Sequence, residues 1–151
     1  MPTKVLFVCL GNICRSPMAE GLFRHLASQA GYSCVVDSAG TGSWHVGEAP
    51  DPRAVACMRR FGIDISNLRA RQVHPEDFKT FEIILAMDAA NLKALEAMRK
   101  EGSRPRLFTE FCQLSAPEIP DPYYGGPEDF ERVFRLLHTG LENLIAQLHR
   151  G

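Results

Sequence analysis

The passage from Val5-Leu6-Phe7-Val8 through Cys9-Leu10-Gly11-Asn12-Ile13-Cys14-Arg15-Ser16 to Pro17 constrains this chain more than any other stretch. A continuous apolar run ended by Gly11-Asn12 reads as a buried strand, Val5–Cys9. Ser16 followed by Pro17 is the pairing that opens a helix, with the hydroxyl as N-cap and proline as the first helical residue. Met18, Leu22 and Leu26 give that helix one apolar face, Ala19 and Phe23 widen it, and Gly31 stops it. A buried strand that runs through a short loop into a helix is the opening of a β–α–β unit.

The rest of the sequence repeats the alternation. Cys34-Val35-Val36 reads as a second short strand, followed by the turn-rich Ser38-Ala39-Gly40-Thr41-Gly42. Asp51-Pro52 repeats the cap signal, and Ala54–Phe61 reads as a helix closed by Gly62. Phe81–Met87 is a third strand, and Asp88 caps a helix carrying Leu92, Leu95 and Met98. Arg106-Leu107-Phe108 is a short fourth strand. Pro127 opens the strongest helix, with Phe130, Val133, Phe134, Leu137, Leu141, Leu144, Ile145 and Leu148 at helical spacing. This stripe is read as core rather than as a partner groove. The expected fold is a three-layer α/β domain with a four-stranded parallel sheet and helices on both faces, flavodoxin-like in architecture. Residues 1–151 are expected to form one domain, with no linker long enough to divide them. Ligands of such sheets bind beyond the carboxyl ends of the strands, where Cys9, Ser38 and Asp88 are expected to lie.

Composition narrows the function classes. A chain of 151 residues suits one domain, and 45% hydrophobic with 23% charged residues is an ordinary globular balance. A net charge of −1 gives no electrostatic footprint for nucleic acid or a membrane surface. No apolar run is long enough to span a bilayer, and the run after Lys4 is too short for a signal peptide. Cysteines at 9, 14, 34, 57 and 112 form no CxxC pair. An odd, scattered set argues against both a disulfide framework and a zinc site, and favours a reducing cytoplasm. No cofactor or metal is expected.

Residues 9–16 suit phosphate chemistry. Consecutive backbone N–H groups of a tight loop, together with a helix N-terminus, converge on an anion. Gly11 and Asn12 are residue types that tolerate the positive φ such a loop imposes. Arg15 adds a planar fork for two phosphate oxygens. A helix N-terminus and an arginine favour the thiolate of a nearby cysteine, so Cys9 is expected to act as a nucleophile needing no dedicated base. No Gly-Lys-Ser/Thr follows, so this is not an ATP-binding P-loop. Attack by a thiolate also needs an acid for the leaving oxygen. Ile119-Pro120-Asp121-Pro122-Tyr123-Tyr124-Gly125-Gly126 offers Asp121 on a stiffened loop beside two aromatics. Alone, that segment is only a turn signal.

Together these residues resemble the low molecular weight protein tyrosine phosphatases. The resemblance covers the whole chain: Val8-Cys9 with Arg15-Ser16-Pro17, Asp37-Ser38-Ala39-Gly40-Thr41, Trp44-His45, Arg69-Ala70-Arg71-Gln72, Met87-Asp88 with Asn91, and Asp121-Pro122-Tyr123. It implies a metal-independent phosphomonoesterase acting on protein phosphotyrosine and small aryl phosphates through a phosphocysteine. Cys9 would be the nucleophile. Arg15, with the N–H groups of Leu10, Gly11, Asn12, Ile13, Cys14 and Ser16, would hold the phosphate. Asp121 would be general acid and then base. Ser16 would hydrogen-bond the Cys9 sulfur, and Asn12 and Ser38 would support the loop. Trp44 and Tyr123 would wall the aromatic ring, with Tyr124 assisting. Inorganic phosphate and related oxyanions would inhibit, and the chain would act as a monomer.

Other readings stand beside these. Relatives acting on phosphoarginine carry threonine at the position of Ile13, so its bulk favours phosphotyrosine. Arsenate reductases of this fold add a close midchain cysteine pair, which Cys57 and Cys112 do not form. A phosphate-binding module without catalysis would need neither the thiol of Cys9 nor Asp121. Cys14 reads equally as a reversible disulfide partner of Cys9 or as a small buried loop residue. Trp44 alone could be a hydrophobic anchor, His45 is given no chemical role, Asp88 is sufficiently explained as a helix cap, and Arg69 and Arg71 read as surface or structural charges. Activity is expected to be greatest at acidic to neutral pH, limited on one side by thiolate formation and on the other by loss of the acid's proton.

Overall fold

A computed structural model describes residues 2–150. The strands are β1 (Thr3–Cys9), β2 (Cys34–Gly40), β3 (Ile83–Ala86) and β4 (Arg106–Leu107). They form one sheet in the order β2-β1-β3-β4, with every pairing parallel. The helices are α1 (Arg15–Gln29), α2 (Pro52–Arg60), α3 (Asp77–Thr80), α4 (Ala89–Met98), α5 (Phe108–Phe111) and α6 (Pro127–Arg150).

Alternation along β1 divides the core. Val5, Phe7 and Cys9 face a large cluster that includes Met18, Leu22 and Phe23 of α1 and Phe130, Val133 and Leu137 of α6. Leu6 and Val8 face a smaller cluster with Phe78 of α3, Ile84 of β3 and Leu95 of α4. Two-sided burial is why β1 reads as an unbroken apolar run. Phe7 meets Phe23 edge-on at 5.7 Å, and Phe61 stacks on Phe134 at 3.8 Å. The three-layer α/β arrangement is the expected one.

Several boundaries differ from the sequence reading. β2 continues through Ser38 to Gly40, because Leu6↔Asp37 to Cys9↔Gly40 keep pairing; the residues read as turn-rich are the end of a strand. Ser38 pairs with Phe7 and so lies within β2 rather than beyond its end. Phe81 and Met87 fall outside the four-residue β3, and Phe108 opens α5 instead of closing β4. The short helices α3 and α5 have no periodicity to announce them. Gly31, at φ 69°, follows the last turn of α1 in the left-handed conformation expected of a helix stop.

The chain builds β2 on one side of β1 and then crosses to build β3 on the other. The carboxyl ends of β1 and β3 therefore flank a topological switch point, the place where such sheets open a crevice. No helix among the described residues is long and apolar enough to cross a membrane.

Candidate active site

Residues 10–14 leave β1 and curl back to start α1 at Arg15. Asn12 takes a left-handed φ of 58°, the strained point of the curl. Its buried side chain holds that conformation from three directions. The amide Nδ2 donates to Ser16 Oγ at 2.8 Å and to Ser38 Oγ at 3.0 Å, while Oδ1 accepts from the Arg71 N–H at 3.0 Å. Ser38 in turn donates to Glu20 Oε1 at 2.7 Å. These bonds leave the Ser16 hydroxyl proton for the Cys9 sulfur, 3.0 Å away.

The backbone of the loop is tied down as well. Thr41 N–H donates to Cys9 O and Gly42 N–H to Leu10 O, both at 2.9 Å, and Asp51 N–H donates to Ile13 O at 2.8 Å. Gly40 makes the approach possible: a Cβ there would stand 2.8 Å from Leu10 O and 3.2 Å from Asn12 N.

Arg15 is buried to 2% exposure. Its Nη1 donates to Asp88 Oδ2 at 2.7 Å and to Ile119 O at 2.9 Å, which fixes the plane of the guanidinium. Its Nη2 points to Asp121 Oδ2 at 3.6 Å. Asp121 is held locally by the Tyr123 N–H, which donates to Oδ1 at 3.1 Å.

Cys9, Leu10, Gly11, Ile13, Cys14, Arg15, Trp44, His45, Asp121, Tyr123 and Tyr124 surround one pocket of about 240 Å³. Trp44, Tyr124, Tyr123 and Leu10 expose 71%, 96%, 40% and 46% of their surface at its mouth, an apolar rim above a charged floor. Asn12, Ser16 and Ser38 do not reach the pocket. They lie buried beneath the loop, so any contribution from their side chains is made through Cys9 and the backbone. Among the described residues, no group of three or more His, Cys, Asp or Glu is placed to hold a metal ion.

Comparison with known proteins identifies the family. A family model described as low molecular weight phosphotyrosine protein phosphatase matches residues 4–151. The chain belongs to this family. A relative in Schizosaccharomyces pombe, named a low molecular weight phosphotyrosine protein phosphatase, is 47% identical over 96% of each chain. The Bacillus subtilis low molecular weight protein-tyrosine-phosphatase YfkJ is 44% identical over 97% of this chain and 96% of its own. The crystal structure of a protein tyrosine phosphatase from Entamoeba histolytica superposes with a TM-score of 0.93 at 38% identity, covering 99% of this chain and 98% of that one.

Within this family site, several residues act differently from the sequence reading. Ser16 is not the N-cap of α1. The helix begins two residues earlier, at Arg15, Cys14 occupies the cap position, and no side chain caps it. The Ser16 hydroxyl is engaged by Asn12 and Cys9 instead, so no side chain occupies the first N–H groups of α1. Gly11 does not adopt positive φ; Asn12 alone in the loop does. Gly11 matters for space, since a Cβ there would stand 3.0 Å from His45 Cδ2. Asp88 caps α4 through the Asn91 N–H at 2.8 Å and also holds Arg15. Arg71 bridges Asp37 and Asp77 and is structural.

The sequence reading passed over Gly40, Glu20 and Arg53. Gly40 carries a signal in Ser-Ala-Gly-Thr-Gly, but that run by itself reads as a turn. Cys9 and Cys14 are both free thiols. Burial pushes the Cys14 thiol far above its usual range, and the negative charges of Asp51, Cys9 and Asp121 push in the same direction.

Proposed function

We propose that this chain is a protein tyrosine phosphatase that hydrolyses phosphotyrosine and small aryl phosphates through a phosphocysteine on Cys9. The observation that carries the reading is the convergence of Cys9, Arg15 and Asp121 on one pocket. Membership in a family whose relatives bear that name supports it.

The Cys9 thiolate attacks phosphorus in line with the bond to the tyrosyl oxygen. As the sulfur–phosphorus bond forms and the phosphorus–oxygen bond breaks, Asp121 gives its proton to the leaving phenolate. Arg15 holds two equatorial oxygens with the part of its fork not committed to Asp88 and Ile119. The open N–H groups at the start of α1 and along the loop meet the remaining charge. In the second step Asp121, now a carboxylate, takes a proton from water as it attacks phosphorus. The sulfur leaves as thiolate, stabilised by the Ser16 hydroxyl, and inorganic phosphate is released. No step calls on a metal or cofactor. Trp44 and Tyr123 flank the substrate ring, Tyr124 extends that wall, and Ile13 narrows the pocket in favour of an aryl ester.

No step calls on Cys14, whose burial and negatively charged neighbours favour the thiol over the thiolate. Arsenate reduction through a resolving thiol pair is not favoured. Cys57 and Cys112 are both buried, and burial raises both thiols, that of Cys112 to about 12. Rapid alkaline quenching during turnover of a phosphotyrosine peptide, followed by peptide mapping, tests the intermediate. Phosphate attached to the Cys9 peptide is the expected result. A burst of phenol release with phosphate on any other residue contradicts the scheme.

A further inference from the structure

Asp121 stands in a segment without regular secondary structure, and its side chain is 45% exposed. A general acid must nevertheless be held to within a fraction of an ångström of the leaving oxygen. The near end of its segment is pinned at Ile119, whose N–H donates to Met87 O and whose carbonyl accepts from Arg15, both at 2.9 Å. The far end is pinned by a residue outside the reacting groups. Arg53 Nη2 donates to Tyr123 O at 2.9 Å, and Nη1 donates to Gly125 O at 3.0 Å. The guanidinium also lies over Phe130 and Tyr123, 4.8 and 5.6 Å from the ring centroids.

Arg53 is in turn held by Asp51, with Nε to Oδ1 at 3.0 Å and Nη2 to Oδ2 at 2.9 Å. The Asp51 N–H donates to Ile13 O in the cysteine loop. A single path therefore runs from that loop through Asp51 and Arg53 to the two carbonyls that follow Asp121. We infer that Arg53 is a positioning residue which sets the Asp121 segment against the Cys9 loop, an inference that rests on Asp121 being the general acid. Capping α2 does not explain the Arg53 side chain, because Asp51 caps that helix through the Arg53 backbone N–H. A surface ion pair does not explain it either, since its fork spans two backbone acceptors of one neighbouring loop. A planar fork with five donors is suited to that task, and an ammonium is not.

The test compares kcat/KM on two aryl phosphates, one with a weakly acidic phenol and one with a strongly acidic dinitrophenol that leaves without protonation. Arg53→Met keeps the aliphatic stem and removes the donors. It is expected to lower kcat/KM about 10–100-fold on the first ester and less than about 3-fold on the second. Arg53→Lys is expected to show the same split in smaller measure, and it serves if the methionine variant fails to fold. Asp121→Asn should split the two esters in the same way. The Arg53→Met/Asp121→Asn double variant should be no slower on the first ester than Asp121→Asn alone. Equal losses on both esters, or multiplied losses in the double variant, would overturn the role of Arg53. Should Asp121→Asn itself fail to split the esters, the general-acid reading falls, and this inference with it. A split for Asp121→Asn without one for Arg53→Met overturns this inference alone.

Discussion

Cys9 and Cys14 are five residues apart on one loop and share one pocket, yet their surroundings differ. Both are buried, but the Cys9 sulfur meets the Ser16 hydroxyl at 3.0 Å, whereas burial and the charges of Asp51 and Asp121 raise the Cys14 thiol. Because thiolates and not thiols react with alkylating agents, iodoacetate near neutral pH is expected to label Cys9 and leave Cys14 unmodified. Peptide mass mapping checks this, and equal labelling would contradict it. Gly40→Ala makes a second residue-scale prediction. Its methyl would meet Leu10 O at 2.8 Å, backbone that has no room to yield without moving the loop. A loss of about 1–3 kcal/mol in stability is expected, with a larger proportional loss of kcat/KM than a stability change of that size explains. Thermal unfolding and kinetics together check it, and unchanged kinetics would show that the close approach is incidental.

The elements most visible in the sequence are those with a strong local apolar pattern: the unbroken run of β1 and the helical stripes of α1 and α6. Those set by tertiary pairing were less visible. Ser38-Ala39-Gly40 carries turn-forming residues that hide the end of β2, and β1 on one side, with Gln72 bridging Gly40 on the other, keeps it extended. Ser16 looked like a cap because Ser-Pro usually is one, but a hydroxyl has one proton and a small acceptor capacity, and Asn12 and Cys9 use both. Asp88 looked like a cap and is one, while its second oxygen reaches Arg15 across 73 residues of sequence. That long-range contact gives α4 a part in the site. Asp88→Ala removes the partner of a buried guanidinium, and breaking such a pair costs about 3 kcal/mol or more. Chemical denaturation should show a lowered midpoint, and kcat/KM should fall as the Arg15 fork loses its fixed plane. An intact midpoint with unchanged activity would mean that Ile119 O alone orients Arg15.

At the scale of the whole molecule, the switch point between β2-β1 and β3-β4 gathers residues from three separate segments, 9–15, 44–45 and 121–124, around one crevice. The motif order in the sequence points to the Cys9 loop and the Asp121 segment as parts of one site, because each is a compact local pattern, and the structure brings both to one pocket. The connection between them is not legible, since Arg53 lies about 70 residues before the carbonyls it holds, and Asp51-Pro52-Arg53 carries its own sufficient local reading as a helix start. The same connection has a pH signature. Hydrogen bonding from the Arg53 side chain, with its charge, holds the Asp51 carboxyl below its ordinary value against an opposing effect of burial. A carboxyl depressed on folding stabilises the fold above its unfolded value, and that increment is lost as pH falls through the folded one. The stability difference between the protein and Arg53→Met should therefore be full at about pH 6 and should shrink toward about pH 3. Thermal unfolding at the two values measures it, and a difference that grew on acidification would refute the assignment.

The most direct measurement of the central claim is phosphate release from a phosphotyrosine peptide in EDTA, with the protein and its Cys9→Ser variant side by side. Turnover that persists in EDTA and vanishes in the folded variant is the predicted result. Turnover that survives the loss of the thiol, or none at all from folded and reduced protein, would contradict it.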